Sequence, residues 1–238
     1  MIRSLDTILF GWYPYVAFTV FLLGSLIRFD REQYSWKSSS SQLLRRKQLS
    51  WGSNLFHVGI LVIFAGHAVG LLTPMWIFET LGVSHGFKQG LAVVAGGLAG
   101  IACFVGIALL AHRRLFDPRV RATSSFGDTA ILLLLWAQLT LGLLTIPVSL
   151  NHMDGGEMVK FMAWAQGIVT LDPSATVLLE DVALVFKLHL FLGLTMFLVF
   201  PFTRLVHVWS APVWYLGRRG YQVVRARPRT PPVRRAAP

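Results

Sequence analysis

The sequence predicts an all-α integral membrane protein, a bundle of five helices. Only 14% of its 238 residues are charged and 54% are hydrophobic, whereas soluble domains carry about 25% charged residues. A helix needs about 20 apolar residues to cross the hydrocarbon layer. Five runs reach or approach that length, and the fourth is slightly short: Ile8–Ile27, Asn54–Thr73, Gly90–Ala111, Ile131–Val148 and Leu184–Val206. These runs are continuous rather than alternating with polar residues, which favours helices over a barrel.

The basic residues predict how the bundle lies in the membrane. A net charge of +11 could indicate a nucleic-acid partner, but its distribution argues against one. Eighteen of the 22 basic residues fall in or beside the 1–2 connection, the 3–4 connection and the segment from Arg204 onward; the other four are Arg3, Lys88, Lys160 and Lys187. Positive charge marks the cytoplasmic side. We therefore expect the N-terminus outside and the C-terminus in the cytoplasm.

Histidines are the candidate functional residues. His57 and His67 lie in the second apolar stretch, and His189 and His207 in the fifth. Ionisable side chains at membrane depth mark functional sites, and imidazole is a common haem ligand. The orientation matches His57 with His207 near the cytoplasm and His67 with His189 near the outer face. This pattern predicts two haems, each between helices two and five. The remaining three histidines lie in predicted connections and are expected to be solvated: His85, His112 and His152.

Helix geometry fits this pairing imperfectly. His57 and His67 differ in height by about 15 Å in a regular helix, and His189 and His207 by about 27 Å. Tilt, supercoiling or a kink at Pro201 must absorb the difference. Other interpretations remain: hydrogen bonding between helices, a proton or ion relay, and a transporter or metal-handling protein. A relay usually recruits Asp or Glu, of which the apolar interiors contain almost none.

Glycines spaced four residues apart occur beside His67 and again in the third segment. Gly66 and Gly70 stand beside His67, and Gly96 and Gly100 repeat the interval in the third segment. Small residues allow close helix packing. They would equally leave room for a flat macrocycle or a quinone.

Several long motifs resemble the gamma subunit family of respiratory nitrate reductases, the dihaem cytochrome b membrane subunits. The similarity runs from about residue 11 to residue 227. Its main stretches are GWYPYVAFTVFLLGSLIRFDREQYSW, SNLFHVGILVIFAGH, GLLTPMW, RRLFDPRVRAT, GLLTIPVSLNHMDGGEM and FPFTRLVHVWSAPVWYL. Cytochrome b subunits of formate dehydrogenases and hydrogenases match these motifs poorly.

The resemblance implies a redox function in a bacterial or archaeal cell membrane. Two b-type haems would be bound by His57 with His207 and by His67 with His189. Quinol from the membrane pool would be oxidised near the outer haem. Electrons would pass to a cytoplasmic iron–sulfur (beta) subunit and then to a molybdenum-cofactor (alpha) subunit, where nitrate is reduced. The chain would be the quinol-oxidising subunit of this enzyme complex.

The resemblance also nominates a quinol site. Lys88 corresponds to a family lysine near the outer haem, in a connection one residue longer here, and Gly66 is a weaker candidate for a backbone contact. Judged from the sequence alone, Lys88 better suits a snorkelling lysine that anchors a helix end; the resemblance reverses that preference.

The C-terminal tail departs from the family. We assign residues 1–217 to the membrane domain and 218–238 to a basic cytoplasmic tail. From Arg225 on, RARPRTPPVRRAAP is longer than expected and rich in Pro and Arg. That composition predicts disorder, although contact with an acidic partner surface or anionic lipid stays open.

Overall fold

Five long helices dominate the computed structural model, which describes residues 5–37, 41, 43–211 and 213–217. Together with the helical residues that continue two of them, they form five spans long and apolar enough to cross a membrane, the first being Thr7–Arg31 and the fifth Leu184–Phe202, and this part of the chain contains no strand. They are α1 (Tyr13–Arg31, continuing a π-helical stretch Thr7–Trp12), α2 (Arg46–Leu72), α3 (His85–Phe116), α4 (Phe126–Leu150) and α5 (Leu184–Val199). The predicted all-α membrane bundle is confirmed. The tail prediction lies outside the described residues.

The first four helices extend several residues beyond the apolar runs because polar caps, rather than loss of hydrophobicity, define some of their ends. The Ser84 hydroxyl accepts a hydrogen bond from the Phe87 amide at the start of α3. At the start of α4, Ser125 and Asp128 form a reciprocal capping box, which satisfies two exposed N–H groups. With this cap α4 reaches 25 residues, enough to cross the hydrocarbon layer.

The spanning helices pack as an arc in the order α2, α3, α4, α5, α1. The closest contact joins α2 to α3 through glycines. A Cβ at Gly59 would stand 2.6 Å from the Ala99 carbonyl oxygen, and one at Gly106 would collide with the Phe56 amide nitrogen. Because these positions lack a side chain, the two backbones approach closely. By contrast, α2 and α5 are not among the closely packed pairs.

Three shorter helices were not predicted from the sequence: Met75–Thr80, Pro118–Ala122 and Gly156–Val169. Gly156–Val169, hereafter the connecting helix, lies between α4 and α5 and is followed by a 3₁₀ segment, Pro173–Leu179. Trp164 in this helix is buried and donates its indole N–H to the Phe10 carbonyl at 3.0 Å. Buried residues from three parts of the chain meet here: Phe10, Trp164, Ala165, Ile168, Ala175, Leu179, Val182 and Phe186. This cluster fixes one end of the bundle.

Ion pairs hold the same end together. The Lys160 ammonium group lies 2.8 Å from an Asp181 carboxylate oxygen and 3.0 Å from one of Glu157. Hydrogen bonds to Asp181 and Glu157 raise the pKa of Lys160, and the bond from Lys160 lowers the pKa of Asp181. Lys187 in α5 pairs with Asp6 at 2.7 Å, with both side chains largely buried. The connecting helix is thereby tied to the chain leading into α5.

Candidate functional site

Two pairs of imidazole rings connect α2 with the fifth membrane segment. The ring centres of His57 and His207 are 6.3 Å apart, and those of His67 and His189 are 6.2 Å apart. The ring planes are inclined by 69° in the first pair and by 46° in the second. These are the two pairs that the charge distribution and the positions along the chain predict.

All four rings present the same nitrogen to the backbone. Nδ1 lies 2.7 Å from the Ser53 carbonyl oxygen in His57, 2.8 Å from that of Ile63 in His67, 3.2 Å from that of Gln138 in His189 and 2.6 Å from that of Arg204 in His207. A carbonyl oxygen only accepts, so Nδ1 carries the proton in each ring. In a neutral imidazole this leaves Nε2 with its lone pair free. A backbone carbonyl on Nδ1–H is the usual outer-shell partner of a metal-binding histidine.

The separation within each pair fits two ligands on opposite sides of one metal ion. An imidazole nitrogen binds a first-row metal at about 2.0–2.1 Å and stands about 1.1 Å from its ring centre, so two opposed rings lie about 6.3 Å apart. No group of three or more His, Cys, Asp or Glu side chains suited to a metal occurs among the described residues. Two protein ligands are too few for a bare metal site, which takes three or four. The arrangement therefore suits a metal whose other ligands come from a macrocycle.

The fifth membrane segment is not one continuous helix, so the separation of His189 and His207 expected for a regular helix does not apply. The α-helix ends at Val199, a 3₁₀ turn follows at Phe200–Phe202, and Thr203 is extended with φ −121° and ψ 178°. His207 lies in a second 3₁₀ segment, Arg204–Ser210. Pro201 removes one amide donor and prevents a regular helix. The break absorbs the height difference that a straight helix would impose.

Arg28 of α1 stabilises this break. Its guanidinium group donates to the Pro201 carbonyl at 2.6 Å and to the Thr203 carbonyl at 2.9 Å. An interrupted helix leaves carbonyl groups without intrahelical partners, and leaving them unsatisfied at membrane depth is costly. Arg28 satisfies two of them. It thereby holds the backbone just before the segment that carries His207.

Lys88 is buried, contrary to a snorkelling role. Its side chain is 7% exposed. The ammonium nitrogen lies 3.0 Å from the Met162 sulfur and 3.6 Å from the centre of the Phe78 ring. A thioether is a weak acceptor, and an aromatic face attracts a cation only moderately. Since no carboxylate among the described residues pairs with it, this ammonium group retains donor capacity for a ligand.

The connecting helix brings Lys88 towards the His67 end of α2. Met162 contacts Lys88, and Gln166, one turn further along, donates to the carbonyl groups of Leu71 and Thr73 at the end of α2. Leu71 is one turn beyond His67. The connecting helix is thus the link between Lys88 and the end of α2 that carries His67.

Gly66, the other residue nominated for this end, faces open space. A Cβ added to Gly66, Gly70 or Gly96 would meet no atom within 4 Å. Gly100 differs, because a Cβ there would stand 2.7 Å from a Leu143 methyl carbon. Of these four glycines, only Gly100 serves close packing. Gly66 leaves the surface next to His67 accessible to a flat ring.

The remaining histidines differ partly from expectation. His85 is the first residue of α3 and His112 lies in its last turns, so neither belongs to a connection. His112 and His152 are exposed, as expected, whereas His85 is half-buried. The Nδ1 atom of His85 is buried without a hydrogen-bond partner among the described residues. None of the three joins an imidazole pair.

A second polar cluster lies at the His207 end of the bundle. Arg113 is buried and donates to the Ser41 and Leu44 carbonyl groups. Arg45 pairs with Asp117 at 2.7 Å. The pKa of Asp117 is lowered, chiefly because its carboxylate accepts the Val120 amide hydrogen bond. These contacts fasten the α1–α2 connection to the end of α3, so some of the basic residues used to predict orientation have structural roles as well.

Fold and site together define a class: an all-helical membrane protein whose second and fifth membrane segments face each other through two histidine pairs. The family model for the nitrate reductase gamma subunit matches residues 6–227. The chain is 53% identical to the respiratory nitrate reductase 1 gamma chain of Escherichia coli (strain K12) over 225 residues, 94% of this chain and 99% of that protein. It is 40% identical to the nitrate reductase gamma chain of Bacillus subtilis (strain 168) over 220 residues, 92% of this chain and 98% of that one. The chain belongs to the nitrate reductase gamma subunit family.

Replacing Arg28 by Ala should loosen the segment that carries His207. The Pro201 and Thr203 carbonyl groups would lose their donor, and an unsatisfied buried group costs about 1–3 kcal/mol. We expect faster hydrogen–deuterium exchange in residues 203–210. Arg31→Ala is the matched control, because within the described part of the chain Arg31 pairs with its exposed neighbour Asp30 alone. Equal exchange in both variants would refute the role of Arg28.

Proposed function

We propose that this chain is the quinol-oxidising membrane subunit of a respiratory nitrate reductase and that its four paired histidines bind two b-type haems. The observation that carries the proposal is the geometry of the pairs. Two sets of opposed imidazoles stand 6.2–6.3 Å apart, each ring with Nδ1 bonded to a carbonyl group. Family membership supports the assignment to a nitrate reductase complex.

The residues of the chain hold and orient the redox groups. When bound, b-type haems supply one-electron transfer between quinol and a partner protein. Nε2 of each histidine would hold the haem iron, and the carbonyl group on Nδ1 fixes the tautomer and raises the basicity of that nitrogen. An iron held by two histidines would suit electron transfer rather than binding of a small molecule. Ten residues along α2 separate the two levels by about 15 Å.

Lys88 is the proposed quinol contact at the outer level. Among the described residues, its ammonium group has the Met162 sulfur and the Phe78 ring as near partners. A quinol or quinone oxygen would be a stronger acceptor than either of them. Gly66 offers a flat approach beside His67 because no side chain stands there. Protons from oxidised quinol would leave on the outer side.

The orientation and the partners follow from charge and family. We place the N-terminus outside and the C-terminus in the cytoplasm of a bacterial or archaeal cell, because 18 of 22 basic residues belong in sequence to the 1–2 connection, the 3–4 connection and the segment from Arg204 onward. Electrons would leave there to an iron–sulfur beta subunit and reach nitrate on a molybdenum-containing alpha subunit. The relatives are named gamma chains of nitrate reductases, which supports membership of such a complex. The chain itself would not bind nitrate.

If the chain were a transporter or metal-handling protein, the purified protein would carry no haem. Histidines that carry a metal as cargo would form a site of three or four ligands, but none was found among the described residues. A purified chain without haem absorption would favour that alternative and contradict the redox proposal.

Replacing each paired histidine by Ala should show that the two members of a pair hold the same haem. We expect two haems per wild-type chain, and about one after His67→Ala or His189→Ala, with the same outer haem missing from both variants. His57→Ala and His207→Ala should both disturb the inner haem. Pyridine haemochrome quantification with redox titration measures this. His112→Ala, which changes an exposed histidine outside both pairs, is the control. Loss of different haems from the His67 and His189 variants would refute the pairing.

Replacing Lys88 by Ala should slow reduction of the haems by quinol without releasing them. A lost hydrogen bond to a charged donor is worth about 1.5–3 kcal/mol, or roughly 10–100-fold in rate. Stopped-flow spectroscopy with a quinol analogue measures the rate. Lys47→Ala is the control, because that lysine is exposed at the start of α2, the end of the helix away from His67. Unchanged kinetics in the Lys88 variant would remove it from the proposed site.

Two truncations distinguish the C-terminal tail from the surface on which the iron–sulfur subunit would dock. Deletion after Arg227 removes only residues beyond the family match, so we expect the iron–sulfur subunit to co-purify as before. Deletion from Pro212 onward should release that subunit and leave the four histidines in place. Release by the shorter deletion would mean that the Pro- and Arg-rich tail is itself a docking element.

A further inference from the structure

His189 differs from the other three paired histidines in how its ring is held. His57 and His67 bond to carbonyl groups four residues earlier in their own helix, and His207 to one three residues earlier. Those three rings are oriented by local backbone. The Nδ1 atom of His189 instead donates to the Gln138 carbonyl oxygen of α4, 3.2 Å away and 51 positions earlier in the chain. The orientation of this ring therefore depends on how α4 and α5 pack.

The contact is reciprocal. The side-chain amide of Gln138 donates to the main-chain carbonyl group of His189 at 3.1 Å. A carbonyl oxygen cannot donate, so the amide must present its NH₂ group to His189. The amide oxygen of Gln138 is buried without a partner among the described residues. A buried oxygen without a hydrogen-bond donor is costly. The amide orientation that leaves this oxygen unsatisfied is the one that allows the bond from the Gln138 amide nitrogen to His189.

Two glycines leave space for this pair of hydrogen bonds between Gln138 and His189. Gly142 stands one turn after Gln138, and Gly193 one turn after His189. A Cβ at Gly142 would lie 2.9 Å from Cε1 of the His189 ring. A Cβ at Gly193 would lie 3.1 Å from the amide nitrogen of Gln138. Each glycine therefore permits one of the two close approaches, and a side chain at either position would force a partner to move.

We propose that Gln138, Gly142 and Gly193 form a clamp between α4 and α5 that orients His189 as an axial ligand of the outer haem. The clamp rests on the proposed function in that its ligand is the haem. It makes Gln138 and Gly142 positioning residues, because they act on the metal only through His189. The inner pair has no such device, since both of its Nδ1 bonds are local. Disturbing α4 at this level should alter one haem and spare the other.

The test uses Gln138→Met and Gly142→Ala in the full complex purified in mild detergent. Methionine keeps the length and flexibility of glutamine but has no donor, and alanine places a methyl group against the ring. We expect a shifted low-spin ferric signal of the outer haem in electron paramagnetic resonance, because that signal depends on the angle between the two imidazole planes. Both variants keep the Gln138 main-chain carbonyl group but disturb its alignment with Nδ1 of His189, so outer-haem release to apomyoglobin should be faster, by at most the roughly 10–100-fold that complete loss of an outer-shell partner costs. The inner-haem signal should stay unchanged.

Gly97→Ala is the matched control. Gly97 lies in α3, and a Cβ there would stand 3.5 Å, an ordinary contact distance, from the Ile146 side chain of α4. An unchanged outer signal in both clamp variants would overturn the proposal, and so would equal shifts of the two haem signals, which indicate general loosening. Wild-type haem content is measured first. Fewer than two haems per wild-type chain would contradict the proposed function itself, whereas two haems with insensitive variants would contradict only the clamp.

Discussion

A hydrogen bond from an imidazole Nδ1–H to a main-chain carbonyl group, repeated four times, is the interaction on which the rest of this structure depends. It fixes which nitrogen of each histidine carries a proton, and so it determines that each pair offers two unprotonated nitrogens. A helix interior supplies such carbonyl groups readily, because a carbonyl oxygen can accept a second hydrogen bond beside its intrahelical one. The same bond restricts rotation of the ring. Tautomer and orientation are therefore set together, before any metal binds.

The requirement that backbone groups be satisfied in lipid explains the irregular part of the fold. His207 reaches the level of His57 only because the helix ends at Val199 and the chain continues through Thr203 into a 3₁₀ segment. Such a break is tolerated at membrane depth where other groups take over the freed hydrogen bonds. Arg28 of α1 does so for Pro201 and Thr203. A charged residue that topology alone would assign to the membrane surface thus also supports the inner imidazole pair.

Much of the fold was predictable from the sequence because the bilayer imposes one simple rule on composition and another on charge. Apolar run length predicted five spanning helices, and the order of His57, His67, His189 and His207 along antiparallel segments predicted which rings meet. The connecting helix was missed because its apolar residues pack against α1 and α5 rather than forming a long run. The break at Thr203 was missed because a proline alone predicts a kink. The Gln138–His189 exchange is a contact between distant parts of the chain, which local pattern does not reveal.

The two imidazole pairs therefore differ in what determines their geometry. In the His57–His207 pair both rings bond to carbonyl groups of their own segments, so local backbone conformation sets their orientation. In the His67–His189 pair one ring is held by its own helix and the other by a neighbouring helix. The connecting helix, which contacts the buried Lys88, also bonds to the end of α2 beyond His67. A change in the packing of α4, α5 or the connecting helix can thus reach the His67–His189 pair without altering the bonds that hold the His57–His207 pair. That separation would let the proposed quinol-facing centre be tuned while the cytoplasm-facing centre keeps its geometry.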